Sequence, residues 1–270
     1  MKKGIRAHDV GAKGIENICQ WCENNDVSYL QLVLEKSFDD FSFGNFSEEY
    51  AKSLKSKLKN TKIAVLGSYI NPSNPDDEGL SKDIEKFKEK IRYASVLEPI
   101  VVGTETGPYK EGLTNSEEAY QRVLKTMKEV VKEAEKYGVF VGIEGVHCFV
   151  INTPQKMRRL IDDLNSDNTK VIFDPVNYLN INNYTEQDKM INDVFELLSD
   201  KLCAIHAKDF VVENGRMKGT IPGEGMLNYE LIIKNLKAHN LDIPIISEEI
   251  DDQKAVVGFS NLEKIYQGEI

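Results

Sequence analysis

The sequence has few of the features that mark several large classes of protein. No run approaches the roughly 18 consecutive apolar residues of a membrane-spanning helix. The N-terminal segment carries two lysines but no apolar stretch of the kind that a secretory signal needs. Cysteine is scarce, with four in 270 residues, so a disulfide scaffold is excluded and a reducing compartment is favoured. We therefore expect a cytoplasmic protein that does not associate with a membrane.

Basic residues are also in deficit. There are 34 Lys and Arg against 44 Asp and Glu, which makes the formal net charge −10. A protein that binds nucleic acid without regard to sequence needs a basic surface, so nucleic acid is not an expected partner. Histidine is rarer still, with four residues in the whole chain. A small molecule is the expected partner.

The chain does contain a repeated alternation of short β-branched runs and longer Lys- and Glu-rich stretches with helical spacing. Divided among eight such units, 270 residues give about 34 residues each, the size of a βα unit. The predicted strands are 4–8, 29–34, 63–69, 99–106, 139–145, 170–175, 202–209 and 244–250. The predicted helices lie near 14–26, 47–59, 81–97, 115–137, 154–164, 186–199, 227–239 and 257–267.

Strands that alternate with helices predict a parallel sheet, and eight units favour a closed (β/α)8 TIM barrel of the α/β class. An open dinucleotide-binding sheet would carry G-x-G-x-x-G after its first strand, but this strand runs into Ala7-His8-Asp9-Val10. The longest predicted helix begins after Ser116, a good N-cap, and ends at Gly138. No linker or change in composition divides the chain, so we expect one domain over residues 1–270.

Polar side chains end four consecutive predicted strands. They are Glu144, Asp174, His206 and Glu248. The loops at the carboxyl ends of the strands build the active site of a TIM barrel, and the period of two lets each of these side chains face its mouth. Three carboxylates there would repel one another unless a cation neutralised them. This oxygen-rich set with one imidazole suits a divalent metal ion, Mn²⁺, Mg²⁺, Co²⁺ or Zn²⁺. The alternative is that each is a separate polar cap satisfied by loop backbone.

The segments around these residues resemble a known family. The chain is similar to the sugar isomerase/epimerase branch of the xylose-isomerase-like TIM barrels, whose members include D-tagatose 3-epimerase, inosose dehydratase, hydroxypyruvate isomerase and endonuclease IV. The resemblance implies that Glu144, Asp174, His206 and Glu248 ligate one metal ion, and that Glu144 and Glu248 exchange protons with the substrate. The segments that carry it are 143–144, 173–177, 206–209, 223–225 and Glu248, with 66–72 and 102–107 typical of a bacterial subgroup labelled sugar phosphate isomerase/epimerase.

Two positions depart from the pattern of the tagatose-type epimerases. Where those enzymes commonly have a His three residues after the strand-6 Asp, this chain has Asn177, which cannot carry a proton at neutral pH. Where they tend to have an Arg beyond the strand-7 His, the nearest cation here is Lys208. Both changes weaken the inference that this chain has the specific activity of those epimerases.

The residues and the resemblance together predict an isomerase or epimerase that acts on a sugar or polyol ketone. It would move a proton at the carbon next to a carbonyl through an enediolate, with Glu144 and Glu248 as acid and base. The predicted substrate-binding residues are His147, Asn177, Lys208, His8, Glu105 and Glu224. The alternatives are a loop hydrogen bond for His147, a salt bridge to Asp209 or Glu224 for Lys208, and a polar network at the barrel mouth for His8 and Glu105.

Three rival functions remain open. A dehydratase of an inositol-ketone substrate would use the same proton abstraction and then expel a hydroxyl group. A nuclease of the endonuclease IV type needs three metals and about five His ligands, whereas this chain has four His in total. A non-catalytic sugar-binding barrel would not need both Glu144 and Glu248.

Other features of the sequence have less bearing on function. Because no basic cluster marks a phosphate site, we expect the substrate to be a sugar without a phosphate group. The loop 213–219, which carries two cations, is the one place where a phosphate group could be bound. Cys19 and Cys22 on the first helix are expected to be packing residues. The aromatic loop, Phe38, Phe41, Phe43 and Phe46, would wall a sugar pocket or form a contact between copies of the chain, which leaves a homo-oligomer open.

Overall fold

Eight parallel strands close into a barrel in the computed structural model, which describes residues 1–269. Around the barrel the order is β1-β10-β7-β6-β5-β4-β3-β2, so neighbours in sequence are neighbours in space except where β8 and β9 intervene. The (β/α)8 fold predicted from the sequence is therefore confirmed. The barrel strands are β1 (Lys3–Arg6), β2 (Tyr29–Leu32), β3 (Lys62–Gly67), β4 (Val101–Thr104), β5 (Val141–Glu144), β6 (Thr169–Phe173), β7 (Leu202–Ala207) and β10 (Ile245–Ser247).

Helices surround the barrel and bury their apolar faces against it. The predicted apolar face of α5 is buried along its length, from Val123 to Ala134. That helix begins where expected, because the Ser116 hydroxyl accepts the N–H of Ala119, and it ends at Gly138, whose φ is 65°. The helices are α1 (Ile15–Asn24), α2 (Leu34–Ser37), α3 (Glu48–Lys57), α4 (Asp77–Leu97), α5 (Glu117–Tyr137), α6 (Pro154–Leu164), α7 (Gln187–Leu198), α8 (Tyr229–Ala238) and α9 (Asp252–Gln267).

Two helices begin earlier in the chain than the periodicity predicted. α4 begins at Asp77 because the Asp76 carboxylate caps it by accepting the N–H groups of Glu78 and Gly79. α9 begins at Asp252, where the Asp251 carboxylate accepts the N–H of Lys254. No helix within residues 1–269 is both long enough and apolar enough to cross a membrane.

A hairpin that the sequence analysis missed follows β7. The predicted strand 202–209 ends at Ala207, and β8 (Asp209–Glu213) then pairs antiparallel with β9 (Arg216–Thr220). Asn214 and Gly215 form the turn with φ values of 51° and 72°. Positive φ at both central residues is the geometry of a tight hairpin turn, for which Asn-Gly is a strong signal. The loop 213–219 is thus the end of a β-ribbon over the barrel mouth.

The interior of the barrel is packed so closely that a Cβ atom at two glycine positions would clash with neighbouring side chains. A Cβ on Gly142 would lie 2.8 Å from Val101 Cγ2 and 3.1 Å from Ile172 Cδ1, and one on Gly103 would lie 2.5 Å from Val65 Cγ1. Ile172 fills the space that these glycines leave, and it belongs to the same buried cluster as Ile246. Gly142 lies two residues before Glu144, so this layer supports the floor of the barrel mouth.

We expect Gly142→Ala to destabilise the protein by about 1–3 kcal/mol, because the added methyl group overpacks the barrel interior. Urea denaturation followed by circular dichroism measures the change. Gly219→Ala is the matched control, since nothing lies within 4 Å of a Cβ there, and its effect should stay within about 0.5 kcal/mol. Equal stability of the Gly142→Ala variant and the wild type would contradict the close packing described above.

Candidate metal centre

Four adjacent strands of the barrel bring the four predicted ligands to one end. Glu144 is the last residue of β5, Asp174 follows β6, His206 lies in β7 and Glu248 follows β10. The register pairs Glu144 with Ile172 and His206 with Ile246. The four side chains are buried, with at most 7% of any residue exposed. Buried charges of one sign need a partner of the other sign.

Carboxylate oxygens from three strands converge on the His206 ring. The Nδ1 atom of His206 lies 2.9 Å from Glu248 Oε2, 3.4 Å from Glu144 Oε2 and 3.7 Å from Asp174 Oδ2. Donor atoms of Glu144, Asp174 and His206 all lie within 4.8 Å of one another. The arrangement has the spacing of a set of ligands around one ion.

The other oxygen of each carboxylate is held by a neighbouring group. The Asn177 side-chain amide donates to Glu144 Oε1 at 2.6 Å, and the Asn177 backbone N–H donates to Asp174 Oδ1 at 3.0 Å. Arg6 Nη1 donates to Glu248 Oε1 at 3.1 Å. Outer hydrogen bonds of this kind orient metal ligands. Each carboxylate therefore has one anchored oxygen and one that faces His206.

The inner atoms are short of hydrogen bonds. Among residues 1–269, Asp174 Oδ2, both ring nitrogens of His206 and Glu248 Oε2 accept or donate no well-aligned hydrogen bond, and Asp174 Oδ2 has only the ion pair with Lys208 Nζ at 3.0 Å. Buried polar atoms without a partner are costly. Oxygen and imidazole donors are the ligands that divalent ions such as Mn²⁺ and Zn²⁺ accept. The residues present therefore fit one divalent cation, with Glu144, Asp174, His206 and Glu248 available to hold it.

Neighbouring charges act differently on the pKa values of the two glutamates. Burial raises the pKa of Glu144, and the charges of Asp174 and Glu248 raise it further against the opposing effect of His206. Burial also acts to raise the pKa of Glu248, but the neighbouring cations, His206, Lys208 and Arg6, lower it well below its usual range. The surroundings of the two glutamates therefore differ, with more cations around Glu248 than around Glu144.

The sequence matches the family model described as xylose isomerase-like TIM barrel over residues 6–270. The chain belongs to this family. A relative from Methanocaldococcus jannaschii, an uncharacterized protein, is 25% identical over 244 residues, which cover 85% of this chain and 81% of the relative.

Three solved structures of similar fold extend this comparison. The IOLI protein with a bound zinc atom has a TM-score of 0.80 at 16% identity, and the match covers 100% of this chain and 99% of that one. D-psicose 3-epimerase with D-tagatose, from Clostridium cellulolyticum H10, has a TM-score of 0.76 at 15% identity over 98% and 99% of the two chains. The 3-keto-D-glucoside 4-epimerase YcjR of E. coli has a TM-score of 0.76 at 14% identity, with the same coverage. At these identities the likeness concerns the fold.

Lys208 of this xylose isomerase-like barrel lies against the carboxylates. Its Nζ is 3.0 Å from Asp174 Oδ2, 3.1 Å from Glu249 Oε1 and 3.4 Å from Asn177 Oδ1. Burial acts to lower the pKa of Lys208, but the surrounding carboxylates, Asp174 above all, raise it well above its usual range. The side chain is therefore an ammonium ion.

The prediction that Lys208 forms a salt bridge with Asp209 or Glu224 is wrong, because its partners are Asp174, Glu248 and Glu249. The Asp209 carboxylate accepts backbone N–H groups at 2.7–3.0 Å from Phe210, Gly223, Gly225 and Leu227, which ties the loop after β9 to the barrel. Glu224 is exposed on that loop. Neither of these two carboxylates therefore pairs with Lys208.

A cavity of about 880 Å³ opens beside the cluster. Arg6, Lys208 and Glu248 line its floor, and the missed hairpin supplies a wall through Phe210 and Met217. Its remaining lining residues include Val176, Lys218, Thr220, Ile221, Glu224, Glu249, Ile250 and Lys254. Of the four predicted ligands, Glu248 lines this cavity.

The other predicted substrate-binding residues are dispersed. His147 is exposed, and its Nδ1 lies 3.2 Å from the carbonyl oxygen of Asn177, the loop contact named as its alternative role. His8 lies in a 3₁₀ turn, Ala7–Asp9, and lines a separate cavity with Lys36 and Tyr50. Glu105 faces the cluster, where burial and then the charge of Glu144 raise its pKa to about 7.

Arg6 is the site residue that the sequence analysis missed. β1 ends at Arg6 and not at His8, so the guanidinium group reaches Glu248 while it also pairs with Asp9 at 2.8 and 2.9 Å. The Asp9 carboxylate in turn accepts the N–H of Glu249. The signal in the sequence was an Arg three residues before an Asp at the end of the first strand, a weak one because such pairs are common on surfaces.

We expect Arg6→Met to weaken divalent metal binding about 10- to 100-fold, because it frees the anchored oxygen of Glu248. Titration with Mn²⁺, followed by calorimetry, measures this change. Arg159→Met is the control, since Arg159 pairs with Glu117 on the outer helices. Unchanged Mn²⁺ affinity in Arg6→Met would show that Glu248 needs no anchor.

Several other residues lie away from the cluster. Phe41 and Phe46 pack on Tyr93 of α4, outside the barrel. These two aromatic residues therefore do not form the predicted wall of a sugar pocket. Cys19 and Cys22 are buried in the core, as expected for packing residues. The His239 ring stacks on Phe195.

Proposed function

We propose that this protein is a divalent-metal-dependent sugar isomerase or epimerase. The substrate would be a small sugar or polyol ketone, and the reaction would move a proton at the carbon next to its carbonyl through an enediolate. The observation that carries the proposal is the convergence of one oxygen each from Glu144, Asp174 and Glu248 on His206, with the second oxygen of each carboxylate held from outside. The zinc atom of the IOLI protein and the sugar ligand of D-psicose 3-epimerase, both on this fold, support it.

The bound cation would act as a Lewis acid on the substrate oxygens, a contribution worth several kcal/mol. Glu248, which lines the cavity, would take the proton from carbon as an ionised carboxylate. Glu144, whose pKa is raised by burial, is suited to return a proton. Two glutamates acting in turn on the same carbon would give epimerisation, whereas one base shuttling between adjacent carbons would give aldose–ketose isomerisation.

Asn177 and Lys208 would assist without transferring the proton. Asn177 donates to Glu144 Oε1 and so sets the direction of that carboxylate. Lys208 places a positive charge next to Asp174, on the side where the cavity opens. A developing enediolate at that place would be stabilised by this charge.

The single histidine of the cluster favours chemistry at one metal. Within residues 1–269, one group of His, Cys, Asp and Glu side chains has the spacing of a metal site, and His206 is its one imidazole. His8, His147 and His239 lie elsewhere in the fold. A nuclease of the endonuclease IV type would need several more imidazole ligands than this.

A second candidate function is a dehydratase of the same class of substrate. Elimination of water needs a proton donor for the departing hydroxyl group in addition to the base. Glu105, with its pKa raised to about 7, is partly protonated at neutral pH and faces the same cluster. This carboxyl group, in addition to Glu144, Asp174 and Glu248, is the observation that favours the dehydratase.

The test is metal analysis of the purified protein, followed by its incubation in D₂O with a panel of ketoses and inositol ketones. Incorporation of deuterium at the carbon next to the carbonyl, seen by NMR, would support an isomerase or epimerase. An unsaturated product formed with loss of water would instead identify the dehydratase. Failure to bind any divalent metal after reconstitution would overturn both candidates.

A further inference from the structure

The Lys208 ammonium contacts the same carboxylate atoms that face His206. Its Nζ lies 3.0 Å from Asp174 Oδ2 and 3.8 Å from Glu248 Oε2. These are the inner oxygens, whereas Arg6 contacts the outer oxygen of Glu248. A cation held by His206 and the carboxylates would share two of its oxygens with this ammonium group.

The other lysines that line the cavity have separate partners. Lys218 pairs with Glu213 at 3.3 Å, and Lys254 pairs with Asp251 at 2.8 Å. Both pairs lie on exposed side chains, whereas the Lys208 side chain is only 9% exposed. Lys208 is therefore the lysine in this cavity whose charge bears directly on the carboxylate cluster.

We propose that Lys208 is a built-in counter-cation that competes with the divalent metal for Asp174 and Glu248 and thereby sets the metal affinity of the site. This inference rests on the metal centre of the proposed function. In the metal-free protein the ammonium group offsets the repulsion among the buried carboxylates. When a metal ion binds, the two positive charges repel at short range, which lowers the affinity of the site.

Glu249 gives the ammonium group a second position. The Glu249 carboxylate lies 3.1 Å from Lys208 Nζ at the edge of the cavity, and its side chain is 59% exposed. Lys208 can therefore keep one carboxylate partner while it moves away from Asp174. Removal of the Glu249 charge should leave the ammonium group with the inner carboxylates alone and favour its competition with the metal.

The two residues thus predict opposite changes in metal affinity. We expect Lys208→Met to bind Mn²⁺ about tenfold or more tightly, since it removes the competing charge. We expect Glu249→Gln to bind Mn²⁺ severalfold more weakly. Isothermal titration of the chelator-treated protein with Mn²⁺ measures both, with Lys208→Arg, which keeps the charge, and Lys218→Met, which removes a charge elsewhere in the cavity, as controls near the wild type.

Thermal unfolding provides a readout that is independent of activity. In EDTA we expect Lys208→Met to melt about 3 °C or more below the wild type, because its carboxylates lose their counter-cation. In saturating Mn²⁺ this difference should shrink or reverse. A role for Lys208 in packing alone would lower both melting temperatures equally and would overturn the inference.

The outcomes separate this inference from the proposed function. If the wild type binds no divalent metal, the proposed function fails and the inference fails with it. If the wild type binds Mn²⁺ but Lys208→Met binds it equally or more weakly, only the inference fails. Should Lys208→Met not fold, Glu249→Gln decides the question, since unchanged or tighter Mn²⁺ binding in that variant contradicts the two-position arrangement.

Discussion

Glu248→Gln is expected to slow the exchange of substrate hydrogen with D₂O by about 10³-fold, within the range that a general base contributes. Glutamine has nearly the same shape but cannot accept the proton, and it also removes the charge that Arg6 and Lys208 contact. NMR of the substrate in D₂O measures the exchange rate. Metal content must be measured in the same samples, because Glu248 is also a predicted ligand.

Glu144→Gln provides the comparison that distinguishes the two modes of proton transfer. If two glutamates act on one carbon, each variant should lose exchange with one epimer and keep some exchange with the other. If one base shuttles the proton, one of the two variants should retain most of its exchange. Glu213→Gln on the exposed hairpin, where Glu213 pairs with Lys218, is the control and should behave as the wild type. Full exchange in both metal-loaded Glu144→Gln and Glu248→Gln would remove them from the chemistry.

Asp174→Asn is expected to weaken metal binding by about 100-fold or more, because the inner oxygen becomes either an amide nitrogen or a neutral carbonyl oxygen. At a metal concentration 100 times the wild-type dissociation constant, the wild type gains about 2.7 kcal/mol of stability from binding. A variant with a 100-fold larger constant gains only RT ln 2, about 0.4 kcal/mol. The rise in melting temperature on adding Mn²⁺ should therefore nearly vanish.

Differential scanning calorimetry with and without Mn²⁺ checks this expectation. Asp83→Asn, which removes a carboxylate from the surface of α4, should keep the full rise in melting temperature. An equal rise in Asp174→Asn and in the wild type would mean that Mn²⁺ binds elsewhere or without Asp174. The proposed metal centre would then be wrong, even if the protein had enzymatic activity.

The fold was predictable because it depends on patterns that repeat along the chain. Eight alternations of strand and helix leave few topologies, and strong local signals such as Ser116 and Gly138 bound helix α5 in the structure as in the prediction. The hairpin was missed, although Asn214-Gly215 marked its turn, because its flanking residues lack the alternation of a half-buried strand. The early starts of α4 and α9 were missed because a single capping Asp defines each of them.

The sequence by itself determined which side chains meet at the barrel mouth. The period of two and the parallel order of the strands place Glu144, Asp174, His206 and Glu248 at one end, whatever their exact rotamers. Their role as ligands stays a prediction. The tertiary structure alone decided what surrounds them, because those contacts join residues far apart in the chain. Arg6 reaches Glu248 across 242 positions, and Lys208 lies on Asp174 and not on its neighbour Asp209, whose carboxylate is already occupied by four backbone N–H groups.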